Sequence, residues 1–189
     1  MFAAKRLSTR AFPLANRAAT ATATTQFHST RPAFVKAGDR LPDLNVLVED
    51  SPGNKVNLSQ LLSKGKGVIV GTPAAFSPAC SSTHVPGFIN HPKLKDAGQV
   101  FVVSVNDPFV TKAWGASLDP TNASGIRFLG DPTGEFTQAL DLAFDSTAIF
   151  GNQRSKRYAL LIEDGKVKEA FVEPDNTGVQ DSTAEKVLG

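Results

Sequence analysis

The run Val100-Phe-Val-Val-Ser-Val105 is the strongest strand signal in the chain. A strand with one wet face alternates apolar and polar residues, whereas a near-continuous apolar run marks a strand covered on both faces. Gly67-Val-Ile-Val-Gly71 has the same character. Such strands require a sheet with packed layers on either side. The segments between them read as helices. Asp107 is a cap and Pro108 a first-turn residue for a helix on which Val110, Ala113 and Trp114 share a face. Residues 135–143 form another, with Phe136, Ala139 and Leu140 inward. Residues 157–162 and 167–172 flank Glu163-Asp-Gly-Lys166 as a hairpin. The expected fold is α/β, a three-layer domain with a central mixed sheet flanked by helices.

The remaining elements are shorter. Residues 36–43 are an entry loop, and 44–49 a strand. Ser51-Pro-Gly-Asn54 is a turn, with 55–58 pairing back. Ser59 caps a helix over 60–64 that Gly65 ends. A helix follows Cys80, and Pro86 kinks or restarts it before 94–97 closes it ahead of Gly98. Residues 126–129 are a strand, broken by Asp131-Pro-Thr-Gly134, and 183–188 a last helix.

At 189 residues the chain has room for one domain with a proper core. No apolar run approaches the roughly 20 residues that span a bilayer. The net charge of +2 hides a division. Residues 1–38 hold Lys5, Arg6, Arg10, Arg17, Arg31 and Lys36 and no acid, which leaves 14 basic against 18 acidic residues beyond them, a net of −4. Nothing in that acidic remainder points to a nucleic-acid surface. The leader is rich in Ala, Thr and Ser, and Phe2, Leu7, Phe12 and Leu14 lie among its arginines. It has the composition of a mitochondrial transit peptide, expected over residues 1–34, with processing between about Gln26 and Phe34 and a folded domain over 35–189. The expected location is the mitochondrial matrix. The sequons at Asn57 and Asn122 are expected to be silent without a secretory signal.

Cys80 is the only cysteine, so no disulfide framework exists and a reducing compartment fits. A lone cysteine is most often a small core hydrophobe. Its neighbours argue otherwise. It follows a buried strand and the turn formers Pro73, Ser77 and Pro78, and precedes a helical stretch. The thiol is therefore expected on an exposed, rigid strand-to-helix loop, where helix amides favour the thiolate. His84, four residues on, shares a helix face with Cys80, which makes a Cys–His pair conceivable, although no orienting carboxylate is evident.

Pro73-x-x-x-Ser77-x-x-Cys80 after a buried strand resembles the active-site loop of peroxiredoxins. Ala75-Phe-Ser-Pro78 and Cys80-Ser-Ser-Thr-His84-Val-Pro-Gly-Phe88 are similar to the peroxiredoxin-5 subfamily, especially its fungal members. Further matches are Val103-Ser-Val-Asn106-Asp-Pro-Phe109, Ala113-Trp114, Leu129-Gly-Asp-Pro-Thr-Gly134, Arg154-Ser-Lys-Arg157-Tyr158 and Val172-Glu-Pro-Asp175. The resemblance runs from about Val35 nearly to the C-terminus. It implies a thioredoxin-like fold, thiol-dependent reduction of hydrogen peroxide and organic hydroperoxides, and a homodimer. It also implies four site residues. Cys80 matches the peroxidatic cysteine and Ser77 the hydroxyl that contacts the peroxide. Pro73 matches the shielding proline, and Arg157 the arginine brought to the thiolate from a distant strand. Arg154 competes with Arg157 but matches at most a supporting position. Trp114 reads as a packed aromatic.

The chemistry is consistent with that assignment. A thiol near pKa ~8.5 is mostly protonated at neutral pH, and the thiolate is the nucleophile, so a neighbouring cation is needed. Donors from Ser77, Arg157 and the loop amides are expected to stabilise the departing oxygen. Neither a bound cofactor nor a metal is expected, and neither a nucleic acid nor a membrane as partner. Two departures matter. Many animal members carry a resolving cysteine where this chain has Asp181, so an external thiol must reduce Cys80, glutathione with glutaredoxin being favoured over thioredoxin. Ala74 and Ala79 replace glycines of the animal motif and are expected to narrow the pocket. The competing readings are a non-enzymatic redox sensor or chaperone-like protein switched by Cys80 oxidation, and a Cys–His hydrolase.

Overall fold

The computed structural model describes residues 34–189. The expected leader and its processing site, Phe34 apart, lie outside the described residues. In chain order the elements begin with β1 (Leu47–Glu49), β2 (Ser51–Val56), α1 (Leu58–Leu61) and β3 (Lys66–Thr72). A π-helical turn (Cys80–His84), α2 (Val85–Ile89), a 3-10 turn (Leu94–Ala97), β4 (Gln99–Ser104) and α3 (Pro108–Leu118) follow. Then come β5 (Arg127–Gly130), α4 (Glu135–Ala139), β6 (Ala143–Asp145), α5 (Thr147–Phe150) and β7 (Gln153–Ser155). The chain ends with β8 (Tyr158–Glu163), β9 (Lys166–Val172) and α6 (Ala184–Leu188).

Seven strands form one sheet in the order β2-β1-β5-β4-β3-β8-β9. β3, β4 and β5 are parallel, and every other pairing in the sheet is antiparallel. The sheet is mixed, and the two apolar runs, β3 and β4, lie side by side inside it. Successive residues of those runs serve opposite faces. Ile69, Phe101, Val103 and Leu160 pack with Leu58, Leu62, Phe136 and Leu140 on one side. Val68, Val70, Val100, Val102 and Ala159 pack with Val85, Phe88, Trp114 and Val187 on the other. Three layers result, with β3 and β4 at the centre.

Several local expectations shift. The β1–β2 hairpin reverses at Asp50, whose φ of +60° an Asp tolerates, so Ser51-Pro-Gly-Asn54 is strand rather than turn. Asn57, not Ser59, caps α1: its side-chain oxygen accepts from the Gln60 amide at 3.2 Å, while Ser59 is already helical. On α3 the inward residues are Pro108, Thr111, Trp114 and Gly115, and Ala113 is exposed. Gly115 sets that face, because a Cβ there would come within 2.7 Å of the Phe128 ring. α4 stops at Ala139, itself exposed, because Asp141 turns to φ +54°. Thr137 is inward instead, its hydroxyl bonded to buried Asp131 at 2.7 Å. The two-stranded β6–β7 sheet was not anticipated from the sequence. Both strands are three residues long, and polar Asp145, Gln153 and Arg154 mask any period.

Register places the site. β3 and β8 are antiparallel with Gly71 opposite Tyr158, so the start of β8 lies beside the end of β3. Arg157, one residue earlier, therefore stands at the mouth of the loop that leaves β3 at Thr72. Gly71 is obligatory in this arrangement, because a Cβ would lie 1.9 Å from the Tyr158 ring.

Candidate active site

Residues 78–89 are helical throughout, with the π turn between two α-helical stretches. The Ser81 amide donates to the Ser77 carbonyl at 2.9 Å, and the Val85 amide reaches back to Cys80. Pro86 has no N–H for the carbonyl four residues earlier, and the widened turn lies directly upstream of it. The expected restart at Pro86 thus takes the form of a π-to-α boundary.

Cys80 opens the π turn and is fully buried within the core layer of Val70, Val85 and Phe88. The expectation of an exposed thiol is corrected: Phe76, Pro78 and Ala79 face solvent, and Cys80 is on the inner face of the helix. Arg157, 2% exposed, meets it there. Its Nη1 donates to Cys80 Sγ at 3.3 Å and its Nε to the Thr177 carbonyl at 3.2 Å. Among the described residues no carboxylate pairs with this guanidinium. A buried cation needs a counter-charge, and the sulfur as thiolate is placed to supply it.

The loop before Cys80 is held from two sides. Pro73 and Ala74 are buried, and the Ala75 amide donates to Asn106 Oδ1 at 3.0 Å. Ser77 Oγ donates to the Ala74 carbonyl at 3.0 Å. Its proton is thereby committed, so the hydroxyl can meet a peroxide as an acceptor, not as the donor expected from the sequence. Phe76 sits at φ +60° and is 55% exposed, a strained conformation for a bulky residue at the rim of a site. Of the two alanines that replace glycine, Ala74 lies beneath the loop, while Ala79 points to solvent and does not narrow a pocket.

Arg154 is occupied elsewhere. It donates to the Val105 carbonyl at 2.7 Å and to Asn152 at 2.8 Å, and lies over the Phe150 ring. The Cys–His pair does not form. His84 is buried, and its Nε2 donates to the Ser182 carbonyl at 2.9 Å, with Ser182 Oγ at 3.2 Å. Trp114 is fully buried against Phe128 and donates to Ser81 Oγ at 3.0 Å. Sequence reasoning passed over three participants: the Thr177 carbonyl, Asn106 and Glu173. Asn106 and Glu173 lie within motifs quoted for the resemblance, whereas a carbonyl leaves no trace in residue type.

Burial, with the Arg157 charge adding to it, pushes the His84 imidazole down from 6.5 to about 4, against the Ser182 hydrogen bond and Glu173. An unfolded histidine takes up a proton below about 6.5, and the folded one not until about 4. The unfolded state therefore binds more protons in that window, and stability falls as pH falls through it. The thermal midpoint is expected to drop between pH 7 and 5, and His84→Gln to flatten the drop. An unchanged slope in the variant would contradict the assignment.

The redoxin family matches residues 36–188. The chain belongs to it. It is 46% identical over 158 residues to peroxisomal membrane associated protein 20 of Schizosaccharomyces pombe, covering 82% of this chain and 98% of that one. It is 42% identical over 146 residues to peroxiredoxin-2C of Oryza sativa, covering 75% and 89%. Peroxiredoxin 5 of Alvinella pompejana superposes with a TM-score of 0.68 at 38% identity, over 76% of this chain and 92% of that chain. Reduced Prx3 of Vibrio vulnificus superposes with a TM-score of 0.72 at 35% identity, over 82% and 96%. The fold is thioredoxin-like, as expected, and this redoxin is a peroxiredoxin of the peroxiredoxin-5 type. It is a thiol peroxidase, an oxidoreductase, with a single cysteine.

Proposed function

We propose that Cys80 is the peroxidatic cysteine and that Arg157, Ser77 and Pro73 complete its site. The observation that carries this reading is the 3.3 Å contact between Arg157 Nη1 and Cys80 Sγ, made in the core with no competing carboxylate among the described residues. The thiolate attacks the terminal oxygen of hydrogen peroxide or an organic hydroperoxide. The S–O bond forms as the O–O bond breaks. The leaving oxygen departs with the electron pair and takes a proton to become water or an alcohol. Cys80 is left as sulfenic acid. Arg157 stabilises the charge that builds on the peroxide oxygens, Ser77 accepts the hydroperoxide O–H, and Pro73 keeps water out behind the loop.

An external thiol then condenses with the sulfenic acid, releasing water and forming a mixed disulfide. A second thiol frees Cys80 and leaves as the other half of a new disulfide. Glutathione with glutaredoxin is the favoured reductant, since no second cysteine exists and position 181 is Asp. Because Cys80 is buried, the first turn of its helix must open for that thiol to reach sulfur. Steady-state turnover should be restored by glutathione with glutaredoxin and much less by thioredoxin with its reductase. The reverse ranking would reassign the reductant.

A homodimer is supported by exposed Phe76, Phe109 and Ile149. They sit on segments tied together by the Ala75–Asn106 and Arg154–Val105 hydrogen bonds. The acid-free basic leader over 1–34, with the domain over 35–189, supports a mitochondrial matrix location. The S. pombe relative carries a peroxisomal membrane association in its name. Import of the full chain into isolated mitochondria, with shortening near Phe34, tests the matrix assignment.

A further inference from the structure

Arg157 is held by backbone, not by an acid. Its amide donates to the Asn176 carbonyl at 2.7 Å, its carbonyl accepts from the Glu173 amide at 3.0 Å, and its Nε reaches Thr177. The segment 173–177 thus wraps the residue that touches sulfur. This segment is irregular. Asn176 lies at φ +72°, and Asp175 Oδ1 turns the chain by accepting from the Thr177 and Gly178 amides. Such a loop has little stiffness of its own.

One carboxylate ties its two ends together. Glu173 is 1% exposed, and its Oε1 accepts from the amides of Gln180, Asp181 and Ser182 and from the Ser182 hydroxyl, each at 2.8 Å. The two ends of the loop are closed onto a single oxygen. Ser182 in turn receives His84 Nε2, which pins the closed loop to the π turn that begins with Cys80. Burial works against the charge on Glu173, but the four hydrogen bonds outweigh it, and the carboxyl rests below its ordinary range. Four converging donors need that charge, because an unpaired buried donor costs more than a hydrogen bond gains.

We propose that Glu173 is a positioning residue for peroxide reduction: it closes the 173–182 loop so that the Thr177 carbonyl and the Asn176–Arg157 backbone contacts hold the guanidinium on Cys80. This rests on the assignment of Arg157 given above. Glu173 touches neither sulfur nor peroxide and acts only through Arg157.

The test is a double-mutant cycle read by stopped-flow peroxide reduction, with Arg157→Ala, Glu173→Gln and the double variant. Glu173→Gln keeps size and one acceptor oxygen, and Ser182→Ala, which removes one donor only, stands in should that variant fail to fold. Glu173→Gln should slow hydrogen peroxide reduction by about tenfold to a hundredfold, the scale of a small misplacement at a reacting centre. Alkylation of Cys80 by iodoacetamide, which leaves no charge on an oxygen, should slow much less. In the Arg157→Ala background Glu173→Gln should cost nothing further. Equal loss in both backgrounds, equal loss of peroxide and iodoacetamide rates, or no loss beside wild-type would overturn the proposal. Should Arg157→Ala itself leave the peroxide rate intact, the assignment of Arg157 fails first.

Discussion

Cys80→Ser is expected to remove peroxide reduction to the limit of detection while leaving the fold intact. Serine keeps the shape of cysteine at a position packed against Val70 and Val85, so the core layer should survive. A hydroxyl has no accessible anion near neutral pH, and without a thiolate nothing attacks the O–O bond. The Arg157 guanidinium would then be buried beside a neutral oxygen. A modest loss of thermal stability should accompany the loss of activity. Peroxide consumption in the variant above the uncatalysed background would mean that chemistry runs elsewhere in the chain.

Arg157→Ala is expected to lower the second-order rate constant with hydrogen peroxide by about 10² to 10³-fold, the scale for losing one donor aimed at developing charge. Two effects combine. The thiolate loses its buried counter-charge, and the breaking O–O bond loses the fork that stabilises it. Arg157→Lys should recover part of the loss, since it keeps the charge and gives up the planar fork. Measuring both variants against hydrogen peroxide and a bulky alkyl hydroperoxide checks the assignment. A wild-type rate in Arg157→Ala would transfer the role to another cation, and Arg154 is already bound to Val105 and Asn152.

Strands β3 and β4 were readable because burial on both faces writes a continuous apolar run, and α3 because Asp107 and Pro108 punctuate it. The α3 face differs from the one expected through Val110, Ala113 and Trp114 because Gly115, with no apolar side chain to signal it, is the closest contact to Phe128. The cap of α1 was misread because Asn57 and Ser59 are both good cap residues, and only the bond to Gln60 separates them. At the site, Pro73, Ser77 and Cys80 lie within eight residues and form a local pattern. Arg157, 77 residues from Cys80, is paired with it only by the antiparallel register of β3 and β8. That was legible through family resemblance, not through spacing. Burial of the thiol was not legible, because turn formers on the outer side of the loop hide an inward-facing first turn.

The most direct test of the central claim, that Cys80 beside Arg157 reduces peroxide, is single-turnover stopped-flow on the reduced protein with mass analysis of the product. Fast consumption of about one peroxide per chain, with one oxygen gained at Cys80, is the predicted result. Slow consumption, or oxygen gained at a residue other than Cys80, would contradict it.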